Sequence, residues 1–391
     1  MSPTKIAWIS FFPIEWMPDL PESLRGLPKQ HPASWQRVLL EELKPLKDLK
    51  LDVLVVRSSF PHSFTFSRED INFHCLKLPG GTRGLSLFWW ETFLIRKRLQ
   101  EIQPDLVHAW GSERGAALVA SRLSYPYLVT MQGLLQWYSE QVKLNIHHRL
   151  EARLEHVALK RASIITAESR FAVKWLQDKY PHLEVHQAEH APDWIFHRVE
   201  RRPETKPPRF LFIGAMGMIK GTDLLLRALD RLSKERDFRL TIVGSAASDF
   251  LQKMKGQTSP GLWERITILH DLTPLQVAQE MARATLLLFP TRADTSPNSV
   301  KEAVVAGLPV VASAIGGIVD YVFPGENGFT CQPGDLNGFV NTIHEALAHP
   351  LFSQGKVEAQ TLERVRAYLS PQQMRERFTA AYQRVLERGR A

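Results

Sequence analysis

Cysteine is nearly absent: Cys75 and Cys331 are the two in 391 residues. They lie far apart, and neither belongs to a Cys-x-x-Cys pair or a Cys/His cluster. That excludes a disulfide scaffold and a cysteine zinc site and fits a reducing compartment. Long apolar runs are also missing. Stretches such as Val53 to Val56 and Thr285 to Phe289 fall far short of the roughly 20 residues that cross a bilayer. The chain opens on Met1-Ser-Pro-Thr-Lys and passes into a short alternating segment, Ile6 to Ile9, without the basic and apolar regions of a secretory signal. These absences predict a cytoplasmic protein. Charge of one sign is not concentrated either. The net charge of +8 divides into 25 Lys+Arg against 22 Asp+Glu over residues 1–200, and 24 against 19 over 201–391. No basic tail, patch or aromatic platform marks a nucleic-acid binder. A dispersed excess fits a solvated surface, with a phosphorylated ligand or an anionic membrane face as the alternatives.

What the chain does have is 44% hydrophobic and 23% charged residues, ordinary globular composition, at a length for two or three domains. Short β-branched runs recur between helical stretches: Lys5 to Ile9, Leu51 to Arg57, Asp105 to His108, Pro126 to Thr130 and Ser163 to Thr166. The rhythm restarts with Arg209 to Ile213, Leu240 to Val243, Ile266 to Leu269, Thr285 to Phe289 and Pro309 to Ala312. Strands alternating with helices predict parallel sheets with right-handed crossovers, an α/β class, and two such sets predict two Rossmann-like doubly wound domains. Between them, 201–208 holds three prolines and alternating charge with nothing apolar to bury, which reads as a linker. The expected domains are therefore 1–198 and 209–370, joined by 199–208. A last amphipathic helix over 371–391 presents Met374, Phe378, Tyr382 and Val385 on one face, which needs a surface to dock on.

The strongest local signal runs from a strand through a glycine turn to a helix: Phe210 to Ile213, Gly214, Gly217, Lys220, Gly221, then Thr222. Glycine lets backbone approach a ligand closely, the helix opening offers unpaired N–H groups to an anion, and Lys220 adds a full charge. The spacing is neither that of a P-loop nor that of the dinucleotide fingerprint. Tight strand-to-helix packing is the alternative for the glycines. A second signal follows in Thr291 to Gly307. Asp294 precedes an expected helix with Ser296 as its N-cap and Pro297 as its first residue, while Glu302 projects about one turn in. Backbone donors around Asn298 to Val300 lie between the two carboxylates. A carboxylate, a row of N–H groups and a second carboxylate suit a nucleotide sugar: hydroxyls, diphosphate, ribose. Each carboxylate alone also fits as a charge complementing the helix dipole.

Together these residues resemble the retaining family-4 glycosyltransferases of the GT-B fold, the glycosyl transferases of group 1. In that family a glycine turn ending in Lys-Gly opens the C-terminal domain, and a Glu-x7-Glu segment runs into an Ala-x-x-x-Gly-x-Pro-Val-Val-Ala stretch. Lys220-Gly221, Asp294-x7-Glu302 and the segment to Ala312 match it, as do Gly316-Gly317-Ile318 and Asn327-Gly328-Phe329. The match is specific over about 209–335 and weaker over 1–200. The resemblance implies a cleft between the two domains, the last helix returning to the first, and transfer of a sugar from a nucleotide diphosphate donor, UDP- or GDP-linked, to a hydroxyl on a glycan or lipid-linked acceptor. It implies no further cofactor. It assigns Lys220 to the diphosphate, Glu302 to the ribose, Asp294 to the donor sugar, and Gly214, Gly217 and the amides of Asn298 and Ser299 to the phosphate cradle. No Asp-x-Asp triplet occurs, which disfavours a metal-dependent transferase and leaves charge neutralisation to lysine and helix ends.

Three positions depart from the family pattern. Ala215 stands where an arginine is usual, Asp294 where the first glutamate is usual, and Gln132 where the first domain usually offers a histidine. Gln132 donates and accepts hydrogen bonds but is no acid or base. Trp16, His31 and Trp35, in an irregular proline-rich stretch, are candidates to line an acceptor pocket, or else pin a surface loop. His108 is a candidate at a strand end or a satisfied buried histidine. Two segments, Leu85 to Arg98 and the stripe Ile146, Leu150, Leu154 and Val157 among basic residues, read as helices lying on anionic lipid or as ordinary core helices. Ala215 and Gln132 keep a non-catalytic nucleotide- or glycan-binding homologue open as a second reading, and a sugar-nucleotide epimerase of the same fold as a third.

Overall fold

The computed structural model describes residues 3–17, 20, 24, 26–28, 33–81, 86–141 and 146–390. It divides into two compact units, Met1–Glu189 with Pro371–Ala391, and His190–Ser370. Each unit is built on a mostly parallel sheet with helical crossovers.

In the first unit, eight strands run in the order β3-β4-β2-β1-β5-β6-β7-β8. They are β1 (Thr4–Ile9), β2 (Leu49–Arg57), β3 (Phe64–Arg68), β4 (Ile71–Lys77), β5 (Leu106–Trp110), β6 (Tyr127–Met131), β7 (Ile164–Ala167) and β8 (Glu184–Gln187). All pairs are parallel except β3 with β4, an antiparallel hairpin at one edge. Continuous apolar strands such as β5 are buried along their whole length, the signature of a sheet covered on both faces. The terminal helix Pro371–Arg390 belongs to this unit and buries Met374, Phe378, Ala381, Tyr382 and Val385 at helical spacing.

The second unit holds a six-stranded, all-parallel sheet in the order β11-β10-β9-β12-β13-β14. Its strands are β9 (Arg209–Ile213), β10 (Arg239–Val243), β11 (Ile266–Leu269), β12 (Leu286–Phe289), β13 (Val310–Ser313) and β14 (Gly328–Cys331). The strand order reverses between β9 and β12, and in an open α/β sheet such a switch point is where the loops after neighbouring strands diverge to leave a crevice. Lys220 follows β9, and Asp294 follows β12.

Several expectations are corrected. The units divide between Glu189 and His190, ahead of residue 198, and the segment expected as a linker packs into the second unit. Arg201 donates to the carbonyls of Met281, Ala284 and Gly355, and the Arg202 and Glu204 amides donate to Ala282 and Arg283. The helix Pro274–Arg283 ends there, and its unpaired C-terminal carbonyls are the acceptors the strap needs. The stripe Ile146, Leu150 and Val157 lies on the exposed side of its helix, while Ala152, Glu155, Ala158 and Leu159 face inward. Leu87, Trp89, Trp90 and Phe93 are exposed as well. Leu85 lies outside the described residues.

Candidate functional site

The glycine turn after β9 is locked from below. Gly221 has φ +69°, and a Cβ there would lie 1.8 Å from the Pro290 carbonyl oxygen, so only glycine fits at the N-cap of the helix Thr222–Leu232. Arg292 grips Asp223 with two bonds of 2.6 and 2.8 Å and donates to the Met218 carbonyl, and its amide bonds the Ile219 carbonyl at 2.8 Å. These bonds hold the turn 217–221 against the loop after β12, and they hold the intervening lysine in place. Lys220 Nζ donates to Asp294 Oδ2 at 2.5 Å. The Asp294 side chain is buried while the lysine is one-third exposed, so the cation is the accessible member of the pair. Gly316, φ +58°, lets the chain pass under this loop, where a Cβ would lie 1.8 Å from the Asp294 carbonyl oxygen.

The helix after Asp294 begins later than expected. Pro297 is the N-cap and the helix runs Asn298–Val305; Ser296 makes no side-chain cap, and its Oγ is buried without a hydrogen bond. The amides of Asn298 and Ser299 therefore stand at the helix opening, where no carbonyl of the preceding turn reaches them. Glu302 lies one turn further. Burial pushes its carboxyl up to about 8; the Lys301 ammonium opposes the rise, and the Asp193 carboxylate adds to it. The structure thus joins Lys220 directly to Asp294 and sets Glu302 beside Asp193 and Lys301. Gly214 follows β9, and Gly217 has nothing within 4 Å of where a Cβ would stand.

In the first unit, Gln132 and Trp35 line one cavity of about 240 Å³. His108 does not. It is fully buried, bonded to Tyr382 Oη at 2.8 Å and to Thr130 Oγ1 at 2.6 Å, and packed on Trp110 and Phe378. Its strand position is interior, so the acceptor-side expectation for His108 is withdrawn. His31 lies outside the described residues.

Sequence reasoning missed Glu113 and Glu155. Glu155 accepts from Ser112 Oγ and from the amides of Leu135 and Gln136, tying the loops after β5 and β6 together. Glu113 sits between those loops; burial, and next the Glu155 carboxylate, push its carboxyl up to about 8. The signal available was Gly111 and Gly115 around it, which read as an ordinary turn.

The model for glycosyl transferases group 1 matches residues 207–349, and the model for glycosyltransferase family 4 matches residues 36–212. Both units are covered in turn, and over most of the chain. This chain is a GT-B glycosyltransferase resembling family 4 and group 1. Among relatives, the transferase is 24% identical to a glycogen synthase of Mycobacterium tuberculosis over 324 residues, 78% of this chain and 74% of the relative. Its fold is shared with the sucrose-phosphate synthase of Thermosynechococcus elongatus, at TM-score 0.78 and 17% identity over 98% of this chain and 99% of the other. It is shared too with HepE of Anabaena, solved in complex with UDP and glucose, at TM-score 0.70 and 16% identity over 97% and 99%. Among the described residues, no helix of the transferase is long and apolar enough to cross a membrane.

Proposed function

We propose that this glycosyltransferase moves a sugar from a UDP-sugar to an acceptor hydroxyl, with retention and without a metal ion, in glycan or glycolipid synthesis. The observation that carries the donor site is the Lys220–Asp294 pair set before the opening of the Asn298–Val305 helix, with Glu302 one turn in. UDP is favoured over GDP because HepE, which shares the fold, was solved with UDP and glucose.

In this reading Lys220 exchanges Asp294 for the donor diphosphate. The released carboxylate then accepts from sugar hydroxyls, and the Asn298 and Ser299 amides bind phosphate oxygens. Ionised Glu302 accepts from the ribose hydroxyls. The acceptor oxygen bonds to the anomeric carbon as the bond from that carbon to the diphosphate oxygen breaks; the bonding pair leaves with UDP, and the hydroxyl proton is released. Charge grows on the diphosphate in that step, so Lys220 and the helix amides act where it develops. Ala215 supplies no second cation.

The test is thermal unfolding with UDP, GDP, ADP, CMP and dTDP on wild type and Glu302→Ala. At 100 times its dissociation constant a ligand adds about 2.7 kcal/mol, a midpoint shift of about 2–4 °C. UDP should produce that shift in wild type and lose it in the variant. A shift with GDP alone would change the donor. No shift with any nucleotide would put the non-catalytic homologue ahead.

A further inference from the structure

The helix Trp89–Ile102 of the first unit carries a large apolar surface on its outer side. Trp89, Trp90 and Phe93 are 56, 47 and 58% exposed, and among the described residues no other tryptophan or phenylalanine is exposed. Leu87 lies open in the turn just ahead of them. Helical spacing carries the same face on into charge. Arg96 and Lys97 stand three and four positions after Phe93 and are exposed, while Glu91, Thr92, Ile95 and Leu99 take the buried side. Single apolar residues scattered over a surface need no explanation, but three large rings within one helical turn do.

The turn before the helix holds these rings outward. Leu87 and Phe88 are consecutive non-glycine residues in left-handed backbone, φ +44° and +66°. Such backbone persists only where its surroundings impose it. Phe88 is the anchor: its ring is buried where a Cβ on Gly115 would lie 2.3 Å away, and its neighbours Leu87 and Trp89 are left facing out. Cations gather at the same place. Arg122 lies over the Trp89 ring at 4.3 Å and donates to the Leu87 carbonyl at 2.8 Å, and Arg96 donates to the Arg122 carbonyl at 2.9 Å. Burial, and next the Arg161 charge, lower the Arg122 guanidinium from its usual range, so a further cation stands close by. Carboxylates are scarce around them. Between Gly81 and Arg98 the single acidic residue is Glu91, which is buried, and the stretches 119–125 and 157–163 hold none. Glu101, one turn on, is bonded to Arg98 at 2.5 Å.

We propose that this face docks on a bilayer carrying anionic headgroups, with the rings of Trp89, Trp90 and Phe93 entering the interface and Arg96, Lys97 and Arg122 facing the lipid charge. The proposal goes beyond the transferase reading and does not rest on it. Aromatic rings beside basic side chains suit a headgroup layer: the ring meets the upper acyl chain, the indole N–H meets water or an ester oxygen, and the cation meets the anionic group. A second copy of the chain suits this face less well. A two-fold interface sets one patch against itself, and here that would bring cations together with too few carboxylates to meet them.

The experiment is co-sedimentation of the full-length protein, without donor, with vesicles of phosphatidylcholine alone or with about 30 mol% phosphatidylglycerol, at about 0.1 M and about 1 M NaCl. At low salt the anionic vesicles should bind at least about tenfold more tightly than the neutral ones, and high salt should remove most of that difference, because the Debye length shrinks from about 10 to about 3 Å. The double variant Trp90→Gln, Phe93→Gln should weaken binding to anionic vesicles about tenfold or more, and Lys97→Gln about fivefold. Leu275→Gln, at a comparably exposed position of the second unit, should bind as the wild type does. The wild-type arms need no variant to fold. No binding to anionic vesicles at low salt, equal binding to both kinds, or a double variant that binds unchanged would each overturn the proposal. So would a lipid-free dimer, seen by analytical ultracentrifugation, that the double variant dissolves, since a second copy would then be the occupant. UDP stabilisation of the same sample separates the readings. UDP stabilisation without vesicle binding sinks this inference alone; vesicle binding without UDP stabilisation sinks the donor site and leaves the docking face standing.

Discussion

At the residue scale, two glycines of one turn carry different burdens. Gly221 combines φ +69° with a missing Cβ that would strike the Pro290 carbonyl, whereas Gly217 faces open space without a positive φ. Gly221→Ala should cost at least about 2 kcal/mol in urea unfolding, because the loop after β12 must move away. Gly217→Ala should change stability by less than about 0.5 kcal/mol, so a loss of nucleotide binding in it would report close approach of the donor. Equal destabilisation by both would mean that the turn adjusts freely and that its glycines are not needed for shape. The sequence offered Lys220, Asp294 and Glu302 as candidates, because each stands in a short segment that follows a strand, and the structure pairs the first two. Glu113 was not legible: its environment is assembled from the loops after β5 and β6, Glu155 and two glycines, and no local pattern announces that assembly. The sequence left His108 open between a strand-end site and a satisfied buried histidine for the same reason, since its partner Tyr382 lies 274 positions away.

At the scale of elements, the terminal helix shows why a periodic pattern gives a face but not its polar contacts. The stripe Met374, Phe378, Tyr382 and Val385 was legible as apolar. The hydroxyl of Tyr382, however, accepts from Trp8 Nε1 at 3.1 Å and lies 2.8 Å from His108 Nδ1, which places it in a buried chain running on through Thr130 to Thr166. Tyr382→Phe keeps the ring and strands two buried polar atoms, at a cost of about 2–4 kcal/mol. Urea unfolding of that variant checks it, with UDP affinity as a control expected to stay unchanged. A loss below about 0.5 kcal/mol would mean that water replaces the hydroxyl. Central strands were legible to within a residue or two, because burial on both faces makes them continuously apolar. The hairpin β3-β4 was not, since β3 alternates half-buried and exposed residues at the sheet edge and offers no buried run. The helix Asn298–Val305 started later than its sequence promised. Ser296 before a proline is a strong cap signal, but the loop buries its hydroxyl instead.

At the scale of the whole molecule, each unit has its own sheet and core, and each carries one half-buried carboxyl pushed up to about 8: Glu113 in the first, Glu302 in the second. The proline-rich strap concealed the true division, because its charges find helix-terminal carbonyls that only the folded unit presents. The two carboxyls make a joint prediction about pH. In the folded state they hold protons up to about 8, whereas the unfolded chain releases them near 4.5. Between those values the unfolded state binds fewer protons, so their contribution to stability is complete below about 4.5, declines as pH rises and levels off above 8. Glu113→Gln and Glu302→Gln should each remove part of that decline. UDP should act in the opposite sense, because the proposed ribose contact needs Glu302 ionised. Between pH 7 and pH 8 the ionised fraction rises several-fold, and UDP should bind roughly fivefold more tightly over that interval. The same interval should leave UDP binding to Glu302→Gln unchanged. Calorimetric titration at the two pH values reads both. A UDP affinity flat with pH in the wild type would mean that Glu302 stays protonated in the complex, and the ribose role would then have to pass to another group.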